Sequence, residues 1–209
     1  MTTTTEPTRT WHALAHPDGS TYHVRTQPPA GMTSTDMDTF HEALGMTTEQ
    51  GDRAHAIHEA AHAVAALAGR GYVLEAQVNI PWRAGKLGSG HAIFGYMPGV
   101  AQTAAALAAG ERAETRWLHE TGLWTPRRGI AIEIDAATDR KAFTTRHPEY
   151  GFGDTDLDYL DAHDIADTVI DRYWAEIQTV ANALLEHHTL SGDAIADIAG
   201  LPNGTHFNV

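Results

Sequence analysis

The chain has 209 residues, with 14 Lys and Arg set against 27 Asp and Glu, a net charge of −13, and no Cys. The acidic surplus argues against nucleic acid and anionic membrane as partners, because phosphate groups recruit cationic surface. Without Cys there are no disulfides and no thiolate zinc site, so any zinc must rest on His and carboxylates.

Along the chain, the Thr-rich residues 1–10 carry neither the basic nor the apolar region of a signal peptide. No apolar run approaches the ~20 residues that cross a bilayer, so a soluble, cytoplasmic protein is expected. Trp11–His16 and Thr21–Thr26 flank Pro17-Asp18-Gly19-Ser20, a strong turn signal, and predict a β-hairpin. Residues 27–35 read as a linker and 36–44 as a short helix. A helix is predicted from about Thr48 to Ala68, with Thr47 and Gln50 as a capping box and Gly69 and Gly71 at its end. Strands follow at Tyr72–Ile80 and His91–Tyr96, joined by a Gly-bearing loop. An Ala-rich helix is expected from Val100 to about His119. Ile130-Ala131-Ile132-Glu133-Ile134 alternates and predicts a strand. Asp154 or Thr155 is expected to cap a long helix through Leu185, which Gly192 breaks, and Ala194–Ala199 forms a short last helix. The fold class is mainly α (α+β), with an N-terminal extension over 1–45 and a larger unit over 46–209.

The most informative stretch is His58-Glu59-Ala60-Ala61-His62, an H-E-x-x-H inside the first long helix. Residues four apart on a helix stand one above the other on one face, so two imidazoles can address one metal ion. The Glu beside the first His then reaches a water at that ion and serves as general base, so Glu59 is the candidate catalytic residue. Apolar residues at Ala54, Ile57, Ala61, Val64, Ala65 and Ala68 follow helical spacing and would bury the ligand-bearing face.

Two His leave such a site one protein ligand short. A His six residues after the second would complete a metzincin set, but Ala68 stands there. Glu111 and Glu114 on the Ala-rich helix are candidates. So are Asp154, Asp156 and Asp158 in Gly153-Asp154-Thr155-Asp156-Leu157-Asp158.

Several blocks in order resemble the peptidase domain of the FtsH-type AAA+ metalloproteases. Ala56-Ile57-His58-Glu59-Ala60-Ala61-His62-Ala63-Val64 is similar to that family's His-Glu-Ala-Gly-His helix, with Ala61 for the usual Gly. Val78-Asn79-Ile80-Pro81, Ala84-Gly85-Lys86-Leu87-Gly88 and Phe94 with Met97-Pro98 resemble its strand–loop–strand segment. Leu107–Glu114 resembles its Gly-Arg-Ala-Ala-Glu helix, and Gly153–Leu157 resembles the block that supplies its third zinc ligand. Ala183-Leu184-Leu185-Glu186 with Thr189-Leu190 is similar to its ending.

The resemblance spans residues 46–200 and implies zinc held by His58, His62 and Asp156. Glu114 is expected to support the site rather than bind the metal, and a hydrogen bond from it to a ligand His would fix that ring's orientation. The resemblance departs from the family in lacking an ATPase module, a Walker motif and a membrane anchor. It therefore implies a zinc metallopeptidase that hydrolyses short or unfolded peptides without ATP. The His91–Tyr96 strand, through Ile93, Phe94 and Gly95, would bind extended substrate by strand addition. Two other readings stand beside it: a tailoring hydrolase of a small peptide or amide metabolite, and a zinc-containing peptide-binding scaffold. A peptide or unfolded protein is the expected partner, and self-association into a homo-oligomer is a further expectation.

Overall fold

In the computed structural model, residues 10–33, 45–78, 90–95 and 97–205 are described. In chain order they form β1 (His12–Ala15), β2 (Thr21–Val24), α1 (Thr48–Ala68), β3 (Tyr72–Gln77), β4 (His91–Gly95) and α2 (Val100–Glu120). There follow α3 (Pro126–Asp135), α4 (Ala137–Arg146), β5 (Tyr150–Gly151), β6 (Leu157–Asp158), α5 (Tyr159–His187), β7 (Thr189–Ser191) and α6 (Gly192–Ala199). The protein is mainly α with small sheets. The helix predicted over 36–44 and most of the loop after residue 78 lie outside the described residues. No helix among those described is long and apolar enough to cross a membrane.

Helix α1 is the axis of the molecule. The Thr47 hydroxyl accepts from the Gln50 amide while the Gln50 side chain accepts from the Thr47 amide, closing the capping box, a device worth about 1 kcal/mol. Every residue from Ala56 to Leu67 is buried. The expected single apolar face is therefore too modest: α2, α5 and the sheet enclose the second half of α1 from several sides. Its Ala content makes that possible, because α2 meets it with another Ala-rich run, Ala104–Ala109, all buried. Close backbone approach brings polar groups of one helix within reach of the other.

The antiparallel sheet has the order β4-β3-β7, so β4 is an edge among the described residues. Ala92 and Phe94 pack on the core, whereas Ile93 and Gly95 face solvent. The β1–β2 hairpin forms as expected around Gly19, at φ +88°. It seats Leu14 and Val24 on Ile130 and Ala131 of α3.

Three expectations need correction. Residues 130–134 are helical, not a strand: Thr125 caps α3 through the Arg128 amide and Pro126 begins it. The hairpin covers Ile130 and Ala131 while Ile132 faces the main core. With both sides covered, the apolar residues follow no single helical face, and their alternation misled. The long helix begins at Tyr159, capped by the Asp158 carboxylate on the Leu160 amide, rather than at Asp154 or Thr155. It ends at His187, and β7 separates it from α6.

Candidate metal centre

The helical spacing of His58 and His62 brings their Nε2 atoms to 3.0 Å. A carboxylate oxygen of Asp139, from α4, lies 3.5 Å from the first Nε2 and 3.4 Å from the second. Ligands about 2.05 Å from a tetrahedral zinc stand roughly 3.3 Å apart. The three separations observed bracket that edge length.

Hydrogen bonding fixes what these atoms offer. The Nδ1 of His62 lies 2.6 Å from the carbonyl oxygen of Ala106, which only accepts, so this nitrogen carries the proton. The Nδ1 of His58 lies 3.2 Å from the Glu114 carboxylate and donates to it. In the neutral tautomers both Nε2 atoms therefore present lone pairs to each other and to a carboxylate. Three electron-rich atoms facing inward repel one another unless a metal ion or a shared proton lies between them, and the Asp139 and Glu114 carboxylates, opposing burial, raise the His58 pKa. The group His58, His62 and Asp139 can hold a metal ion, and the partners on Nδ1 orient the rings as ligand histidines require.

Burial sharpens the electrostatics. The carboxylates of Glu59, Asp135 and Asp139 and the hydrogen-bonded Glu114 surround the two imidazoles. Burial pushes the Glu59 carboxyl up from its ordinary range, against the pull of His58 and His62, which suits a group that must accept a proton. Burial and the nearby Glu114 carboxylate raise Asp135 to about 6. Asp139 is likewise opposed by burial, but His62 and His58 hold it well below the usual carboxylate range.

Two glycines make the space. A Cβ on Gly110 of α2 would lie 2.5 Å from Nε2 of both His58 and His62. A Cβ on Gly90, just before β4, would lie 2.5 Å from a Glu59 carboxylate oxygen. Backbone thus closes over the ligand atoms on one side and over the base on the other.

The carboxylate set against the two histidines is Asp139, not Asp156. Asp156 is exposed in the turn between β5 and β6. Its neighbours have local work: Asp154 accepts from the Phe152 amide, and Asp158 caps α5 and accepts from the Trp11 indole at 2.7 Å. Glu111 points away from the histidines and pairs with Arg140 at 2.7 Å. Of the β4 residues expected at the site, the Phe94 ring stands 6.3 Å from that of His62, and Ile93 and Gly95 lie on the opposite face of the strand. Asp139 and Asp135 escaped the sequence reading because 130–134 looked like a strand. Asp135 ends α3 and Asp139 lies in the first turn of α4, so no spacing along a single helix marked them. No protein-family model matches the chain, and no curated protein matches it in sequence.

Proposed function

We propose that the chain is a zinc-dependent hydrolase that cleaves peptide bonds in short or unfolded peptides without ATP. The observation that carries this reading is a buried carboxylate, Glu59, held beside three lone-pair donors that converge on one point. A purely structural metal clip has no use for such a base, and its burial is otherwise unfavourable. The resemblance of the α1 motif to the FtsH-type peptidase helix favours the same chemistry.

His58, His62 and Asp139 would hold the zinc ion, which when bound polarises a carbonyl and lowers the pKa of water toward about 7. Glu59 takes a proton from the attacking water on a carboxylate oxygen and delivers it to the leaving amine nitrogen. Gly90 brings the start of β4 against Glu59, so a peptide paired along that edge would run past the base. Main-chain pairing of this kind reads little side-chain sequence, which suits unfolded substrates.

The test is Glu59→Gln on zinc-loaded protein, assayed with a quenched-fluorescent peptide library and an unfolded protein. Turnover is expected to vanish while bound zinc stays near one per chain. An unchanged rate would refute the role of Glu59. Silence of the wild type on every peptide, with zinc retained, would overturn the peptidase reading.

A further inference from the structure

Resting on that metal-centre reading, we propose that the buried pair Arg140–Glu111 is the positioning device that sets Asp139 against the two histidines. Asp139 sits on a ten-residue helix, α4, whose first turn has no side-chain cap. Of its residues only Arg140 and Phe143 are buried. The helix on its own has little to fix its rotation or height against α2.

Arg140, the next residue after Asp139, supplies that fixation. Its guanidinium donates from Nε to Glu111 Oε2 at 2.7 Å and from Nη2 to Glu111 Oε1 at 2.9 Å. A two-point fork onto a carboxylate fixes orientation as well as distance, which a lysine cannot do. Glu111 follows Gly110, whose missing side chain leaves room for both imidazoles, and precedes by one turn Glu114, which orients His58. One face of α2 therefore carries the space for the ligands, the orienting partner of one ligand and the anchor of the third.

The anchor is itself braced from the N-terminal hairpin. Arg140 also donates to the His23 carbonyl oxygen, and its guanidinium lies 5.1 Å from the centre of the Trp11 ring. The Thr26 amide and hydroxyl donate to Glu133 at 3.1 and 2.7 Å, tying the same hairpin to α3. Both charges of the pair are almost wholly buried, so removing one alone would strand the other in the core. Removing both avoids a lone charge at the pair itself, while Glu133 loses Arg140 at 3.8 Å and His163 loses Glu111 at 2.6 Å. R140K, which keeps the charge but not the fork, therefore isolates the positioning role.

The experiment is titration of the metal-free protein with Co²⁺, read by its visible absorption, in wild type, R140M/E111L, R140K and the control R112M/D167L. Arg112 and Asp167 form a fork of the same kind between α2 and α5, at 2.8 Å on both arms, away from Asp139. Circular dichroism reports folding in parallel. R140M/E111L is expected to fold and to bind Co²⁺ at least tenfold more weakly, with a changed absorption band. R140K is expected to lose affinity in the same direction, and R112M/D167L to match wild type. Should R140M/E111L not fold, R140K decides. A folded R140M/E111L or, failing that, R140K with wild-type affinity and spectrum overturns the positioning role. A folded wild type that binds no Co²⁺ and no Zn²⁺ overturns the metal centre itself, an outcome separate from failure of the pair.

Discussion

Gly110 stands directly beneath His62: a methyl group on its Cα would lie 2.5 Å from the imidazole Nε2 and equally close to that of His58. Mid-helix glycine costs about 0.5–1 kcal/mol relative to alanine, and α2 is otherwise rich in alanine at its buried positions. The single glycine of α2 falls where two ring nitrogens need the volume. Gly110→Ala should therefore lower zinc affinity at least about tenfold. Overpacking of about 1–3 kcal/mol should outweigh the gain in helix propensity, so the metal-free protein should melt lower. Calorimetric zinc titration and thermal melts check both. A variant that melts higher and binds zinc normally would mean that the rings point elsewhere.

The identity of the third carboxylate is the sharpest divide between the sequence reading and the structure. Asp139 should be indispensable to the centre and Asp156 dispensable, because Asp139 lies within 3.5 Å of both Nε2 atoms while Asp156 is exposed. Replacing a residue that merely orients a ligand weakens metal binding 10–100-fold, so Asp139→Asn should lose at least about a hundredfold. Asp156→Asn should leave affinity within about twofold of wild type. Elemental analysis of the purified variants after dialysis at fixed free zinc would distinguish them. Zinc lost from Asp156→Asn and kept by Asp139→Asn would restore the assignment made from the motif alone.

What could be read from the residues was whatever local chemistry decides. The capping box at Thr47 and Gln50 and the turn at Asp18-Gly19 are set by side chains within a few positions, and the sequence displays them. His58, Glu59 and His62 were legible for the same reason, since one helical turn brings them together. Asp139 was not. It joins the site through the packing of α4 on α2, fixed by Arg140 and Glu111 from positions 29 residues apart. Nothing within α4 advertises that contact, because only two of its side chains are buried. The alternating Ile130, Ile132 and Ile134 pointed to a strand because that pattern ignores the hairpin, which covers one side of α3.

Within the buried cluster, His163 by itself should cost the metal-free protein stability as pH falls, above the range where carboxylates ordinarily titrate. Arg25 Nη1 lies 3.0 Å from His163 Nδ1, and a guanidinium only donates, so this nitrogen accepts and the imidazole is neutral. Its Nε2 faces the Glu111 carboxylate at 2.6 Å. Burial depresses the His163 pKa to about 4, the effect of Glu111 notwithstanding. An unfolded histidine binds its proton near pH 6.5. Between those values the unfolded chain holds a proton that the native chain does not, so stability falls as pH falls, by about 1.4 kcal/mol per unit. From pH 6.5 to 4 the loss should be about 3 kcal/mol from this group. Glu111 adds to it only at lower pH: burial raises its carboxyl, but Arg140 and then His163 pull it far below the usual range, so its stabilisation persists until more acidic conditions. Urea unfolding of the EDTA-treated protein across this interval, with His163→Gln as reference, measures the difference. The wild-type curve should slope more steeply by about one proton between pH 4.5 and 6. Parallel curves would mean that His163 takes up its proton in the folded state as readily as in the unfolded one.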